Sequence, residues 1–164
     1  MKTLVGFILG LIALPACFAL AGVLGWLPSN ASATPPGWES SFGMKALDAS
    51  LEKRSDKLSN PIDEKDATEL AAGKKIYVDN CSGCHGGAKG PSSFGSGFYP
   101  RVPQFFQEGA DVDPREAYAA VRDGIRYSGM PAWQSQLDDK QMWQVANFVA
   151  SIRATNGKKG MDQD

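Results

Sequence analysis

Residues 81–85 read Cys-Ser-Gly-Cys-His, and this pentapeptide holds two of the chain's three cysteines and its only histidine. Few chemistries use so tight a set. A thioredoxin-type redox pair belongs in a βαβ pattern, and no segment of this chain alternates well enough to be a sheet strand. A structural zinc ion takes four ligands, and an iron–sulfur cluster also takes four. Cys17 lies in a distant apolar stretch, so neither set is completed. A plain disulfide suits an exported chain but gives His85 no role. Cys-x-x-Cys-His is also the signature of c-type haem attachment, in which each thiol becomes a thioether and the next imidazole takes the iron. At a helix end two residues three apart stand about one turn apart, which suits this arrangement. The expected cofactor is one haem c, covalent through Cys81 and Cys84, with His85 as proximal ligand.

One imidazole fills one axial position, and a bis-histidine site is excluded by composition. Methionine is the usual second ligand in electron-carrying cytochromes and raises the potential. Met1 stands at the membrane end of the chain, Met44 in a linker, Met161 in the tail, and Met142 on the apolar stripe of a helix. Met130 remains, in Arg-Tyr-Ser-Gly-Met-Pro-Ala-Trp, where Gly129 and Pro131 constrain the loop around it. The expected metal ligands are therefore His85 and Met130.

The remainder of the 164 residues sorts into four parts. Residues 4–27 carry no charge, and a stretch of this length spans a bilayer as a helix. Lys2 precedes it and Trp26 sits near its end, where basic and interfacial aromatic residues belong. The reading is a membrane anchor over residues 1–27. A cleaved signal peptide ending near Ala-Ser-Ala at 31–33, or a lipoprotein site around Cys17, is the alternative. Each places the rest of the chain on the periplasmic or extracytoplasmic side. Residues 28–62 read as a tether of roughly 30–35 Å reach, with a short helix through Met44, Leu47 and Leu51. Residues 63–153 read as three helices and long loops, and residues 154–164 as a disordered tail. The first helix runs from an Asp63 cap to Asn80, with Ala67, Leu70, Ala71 and Tyr77 on its apolar face. The second has Asp113 as cap, Pro114 at its first turn, Glu116 closing a capping box and Gly124 as stop. The third starts at Asp138 or Asp139, ends near Arg153, and buries Met142, Val145, Ala146, Val149 and Ile152. Seventeen basic residues against 18 acidic leave no electrostatic footprint for a nucleic-acid partner.

From about Asp63 to Ile152 the order helix, Cys-Ser-Gly-Cys-His, loops, helix, Gly-Met-Pro loop and last helix resembles the class I c-type cytochromes. The resemblance implies an all-α fold: three main helices and long loops around one haem, here preceded by an N-terminal transmembrane helix. It implies that the first and last helices cross at Gly73 against Phe148, where a missing side chain lets two axes approach. It implies a proline carbonyl on the proximal imidazole, with Pro103 fitting best and Pro91 the rival, and Arg126 and Trp133 near the haem propionates. Tyr77, Phe94, Phe105 and Val145 are expected as apolar walls of the haem crevice.

The implied work is electron transfer without substrate turnover, between a redox donor protein and an acceptor. The chain would act as a membrane-tethered carrier or as the haem subunit of a larger membrane oxidoreductase. A gas sensor or peroxidase-like protein with an open sixth iron position is the alternative.

Overall fold

A computed structural model describes the backbone of residues 2–153 and their side chains, apart from those of residues 2–5, 8 and 9. The tail expected to be disordered, residues 154–164, lies outside the described residues, as do Met1 and the side chain of Lys2. The chain divides into two units, Met1–Ala33 and Thr34–Asp164.

The first unit is a single helix, α1 (Lys2–Val23), with Pro15 inside it. It closes with Gly25 at φ +74°, the left-handed conformation that lets Trp26 N–H return to the Ala21 carbonyl at 2.9 Å. Leu14, Phe18, Val23 and Trp26 are exposed. Among the described residues no helix is long and apolar enough to cross a membrane.

The second unit contains α2 (Gly37–Ser55), α3 (Ala67–Asn80), α4 (Ser82–His85), α5 (Phe105–Glu108), α6 (Pro114–Asp123) and α7 (Asp139–Ser151). A 3₁₀ turn at Gly95–Gly97 lies between α4 and α5. No strand occurs among the described residues; Gly87 and Gly90 form one isolated bridge. The expected all-α fold with three main helices is present as α3, α6 and α7.

The caps explain the helix boundaries. Helix α3 starts later than the sequence suggests. Asp63 closes only a local turn, accepting from Lys65 N–H at 3.0 Å, whereas Asp66 accepts from both Thr68 and Glu69 N–H at 2.8 and 2.9 Å. The buried face of α3 also differs: Gly73 and Tyr77 are buried, while Ala67 and Ala71 face solvent. Helix α6 has the expected Asp113 cap, Pro114 in the first turn and Gly124 as stop. Helix α7 carries a full capping box between Asp138 and Gln141, which the sequence reading did not single out.

Helix α7 is the centre of the core, with Met142, Trp143, Val145, Ala146 and Val149 buried. Helix α3 crosses it at Gly73, where an added Cβ would overlap the Gln144 carbonyl and come within 2.9 Å of Phe148 Cβ. Glu69 ties the same crossing at its edge, accepting from Gln144 Nε2 at 2.6 Å and pairing with Lys140 Nζ at 2.9 Å. Helix α6 packs on the other side, with Tyr118 stacked on Trp143 at 4.0 Å between centroids and donating its hydroxyl to Asp139. Helix α2 is longer than the short helix expected and packs against α6. Arg54 reaches Asp123 at 3.4 Å and the Gly124 carbonyl at 3.5 Å. Met44, expected on its inner face, is exposed.

Candidate functional site

The cysteine–histidine motif occupies the point where α3 ends. Cys81 N–H still bonds to the Tyr77 carbonyl at 2.8 Å, so the helix delivers the first thiol directly. Helix α4 is a single turn in which His85 N–H bonds to the Cys81 carbonyl at 2.9 Å. Gly86 then breaks the helix at φ +70°, and a side chain there would run into Gln104 and Gly90. Both thiols are free, without a disulfide between them. Burial and the neighbouring Cys84 push the Cys81 thiol up to about 11.

The imidazole is fixed from several directions. Its Nδ1 lies 3.0 Å from the Pro103 carbonyl. A carbonyl only accepts, so Nδ1 carries the proton and Nε2 keeps its lone pair. Phe105 stacks on the ring at 4.7 Å with planes 8° apart. Burial holds the His85 pKa below its usual value, and the Pro103 bond opposes this. The Tyr77 hydroxyl donates to the Gly86 carbonyl at 2.9 Å and lies 3.2 Å from the His85 carbonyl. Tyr77 itself is fully buried, between Phe106 and Phe148, so it serves the α3–α7 core as well as the motif.

The expected residues are not all gathered. Tyr77, Cys81, Phe105, Met130 and Trp133 share one apolar cluster with α6 and α7. Met130 is half-buried, and its carbonyl accepts from Ile125 N–H at 3.2 Å. Gly124 makes that return possible: a side chain there would strike the Met130 and Pro131 backbone. Trp133 N–H bonds to the Val121 carbonyl at 3.0 Å, which pins the far end of the loop to α6. Arg126 is exposed and makes no ion pair or hydrogen bond among the described residues. Of the expected walls, Val145 and Tyr77 are buried and Phe105 is half-buried, but Phe94 is 67% exposed.

Gln104 was missed in the sequence. It is buried; Nε2 donates to the Cys84 and Val102 carbonyls, each at 3.0 Å, and Oε1 accepts from Ser92 N–H at 2.7 Å. It thereby fixes the loop after the motif to the motif. Its partners lie up to 20 positions away, so no local pattern marks it.

These residues fit a covalently held haem c. Two free thiols lie one helical turn apart, and an imidazole with its Nδ1 already engaged leaves Nε2 without a hydrogen-bond partner among the described residues. Val78, Phe94 and Tyr127 leave large apolar surface open on the segments that carry Cys81 and Met130 and on the loop between them.

The family described as cytochrome C oxidase, cbb3-type, subunit III matches residues 68–149. The cbb3-type cytochrome c oxidase subunit FixPc of Rhizobium leguminosarum bv. viciae is 35% identical over 82 residues, which are 49% of this chain and 27% of that protein. The chain thus spans about a quarter of the length of that relative. Cytochrome c6 of Cladophora glomerata is 31% identical over 93 residues, 57% of this chain and 98% of that protein. Among solved structures, the Kuenenia stuttgartiensis reducing HAO-like protein complex Kustc0457/Kustc0458 overlays 56% of this chain and 50% of its own, with a TM-score of 0.47 and 22% identity. With half of its length matched by the family, and with cytochrome c6 covered almost end to end, this chain belongs to the cbb3-type cytochrome c oxidase subunit III family and is a class I c-type cytochrome.

Proposed function

We propose that this chain is a one-electron carrier with a single haem c, held by thioethers at Cys81 and Cys84 and ligated by His85 Nε2 and Met130 Sδ. The observation that carries this reading is the imidazole: Nδ1 is occupied by the Pro103 carbonyl at 3.0 Å, beside two free thiols. That bond fixes the tautomer and the ring orientation, as a histidine metal ligand requires. The haem, when bound, supplies the ferric/ferrous couple. Pro103 and Phe105 orient the imidazole, Gln104 holds the motif's loop, and the buried Tyr77 and Val145 keep water from the interior side. One haem is favoured over two because the chain has a single histidine and a single cysteine pair.

Residues 1–27 are the membrane anchor in this reading, and residues 28–62, which include α2, are the tether. The apolar, uncharged run of residues 4–27 supports it, as does the exposed Trp26. Residues 63–153 form the cytochrome domain on the extracytoplasmic side. The relatives named as cbb3-type oxidase subunits favour a haem subunit within a larger membrane oxidase, accepting electrons from one redox protein and passing them to another.

Intact mass of the full chain purified in mild detergent tests the first claim: one porphyrin is expected, and none or two refutes it. The ferric protein should show the weak long-wavelength charge-transfer band of an iron–thioether bond, lost in Met130→Ala. Carbon monoxide binding to the untreated ferrous protein, with no such band, would instead favour the open-site sensor. Co-purifying subunits distinguish a complex from a lone carrier.

A further inference from the structure

Phe98 lies outside the residues expected from the motif, yet it touches the loop that carries Met130. Its ring sits so close to Gly129 that a Cβ there would overlap Cδ1 and Cε1 of the ring. Phe94 backs it in a T-shaped contact at 5.1 Å. The segment bearing Phe98 is fixed in turn to the cysteine motif. Ser92 Oγ donates to the Gly83 carbonyl at 2.5 Å and accepts from Gly95 N–H at 2.8 Å. Gly95 presses on the Cys84 carbonyl, and a side chain there would collide with it. Gln104 joins the Cys84 carbonyl to Ser92 N–H. Immediately after Phe98, the Tyr99 hydroxyl donates to Glu39 of α2 at 3.1 Å. On its other flank the Met130 loop is held by Gly124 and by the bond from Ile125 N–H to the Met130 carbonyl.

We propose that Phe98 is a positioning residue for Met130, and that segment 92–98 is a strap that sets the methionine loop by reference to the cysteine motif. The proposal rests on Met130 being an iron ligand. Gly129 has no side chain to limit its backbone, so the neighbouring ring supplies the restraint. Loss of the ring frees the residue directly before the sulfur donor, and the fraction of protein with sulfur in place falls. An aromatic contact of this kind corresponds to a change of up to about tenfold in that ratio.

The test compares the full-length holoprotein with Phe98→Ala, Phe98→Leu and Met130→Ala variants. The ferric iron–thioether band is titrated against pH, the midpoint potential is measured, and thermal unfolding is followed by far-ultraviolet dichroism. In Phe98→Ala the band should be lost at a hydroxide concentration about tenfold lower than in wild type, with a lowered potential; Phe98→Leu should recover most of both. If Phe98→Ala fails to mature, Gly129→Ala, which displaces the ring, makes the same comparison. A Phe98→Ala protein with the wild-type titration and potential overturns the proposal. So does a loss that Phe98→Leu shares in full and that tracks the unfolding midpoint. A wild-type protein lacking the band, or Met130→Ala retaining it, refutes the ligand assignment itself and removes the proposal with it.

Discussion

Gly73→Ala is the substitution for which local and tertiary physics disagree most clearly. In an exposed helix the change stabilises by roughly 1 kcal/mol, because alanine loses less backbone entropy than glycine. At position 73 the new Cβ would lie 2.6 Å from the Gln144 carbonyl carbon and 2.9 Å from Phe148 Cβ. Ordinary carbon contacts lie at about 3.5–4.0 Å, so α3 and α7 must separate by roughly 1 Å. Two backbones are involved, and no rotamer change relieves the overlap. A gap of that size forfeits about a quarter to a half of each dispersion contact across the crossing, where Tyr77 and Val145 are fully buried. Overpacking costs about 1–3 kcal/mol, and the rigid neighbours place this site at the upper end. The net expectation is a loss of about 2 kcal/mol, or roughly 10 °C in Tm for a domain of this size. Gly43→Ala is the control. It lies within α2, nothing stands within 4 Å of its added Cβ, and it should gain about 0.5–1 kcal/mol. Thermal unfolding of the holoprotein, followed by far-ultraviolet dichroism, reads both. If Gly73→Ala is as stable as wild type, or moves with Gly43→Ala, the close crossing of α3 and α7 is refuted.

Gln104→Leu should cost about 2 kcal/mol, because it leaves the buried-side Cys84 and Val102 carbonyls without the amide that now serves them; urea midpoints measure it, and a neutral result would show that water replaces the amide. Tyr77→Phe removes the donor to the Gly86 carbonyl and should cost about 1 kcal/mol in the same assay while leaving haem content unchanged. The Asp113 and Asp123 carboxyls are held below the ordinary carboxylate range by Arg115 and Arg122 respectively. Their contribution is therefore complete above the unfolded value of about 4, and it is lost as pH falls through their lower folded values. Both pairs are part-exposed, so the effect is modest and weakens with salt. Asp123→Asn should flatten the acid limb of the stability profile, and an unchanged limb would remove Asp123 from that account.

Most of the domain could be read from short-range signals. The Asp113–Pro114 start and Gly124 stop of α6 are local chemistry, and so is the motif at the end of α3. Other features depend on partners remote in sequence. Asp63 and Asp66 are both acceptable caps by residue type, and only Asp66 is followed by a backbone that presents two amides to it. Gln104 looks like an ordinary loop glutamine until the chain brings Ser92 and Cys84 around it. The extent of α2 is hidden for a related reason. Its buried residue is Ser55, and Arg54 holds it to α6, so the apolar spacing of Met44, Leu47 and Leu51 understates the helix. Phe94 reads as core by type, but its neighbour Phe98 is spent on Gly129 and leaves it facing solvent.

In the site proposed above, His85 is restrained by several separate parts of a loop-rich chain. A carrier works fastest when its ligands do not move between oxidation states, and an isolated loop histidine would move. Here the ring is held by the Pro103 carbonyl and by Phe105 at the start of α5, its backbone by the α4 turn, and its carbonyl by Tyr77 from α3. These restraints come from residues 8 positions before the histidine and 18 and 20 positions after it. Tyr77 is also wedged at the α3–α7 crossing against Phe148. Tyr77 thereby joins the α3–α7 crossing, where the missing side chain at Gly73 lets the two helices approach, to the backbone that carries the histidine.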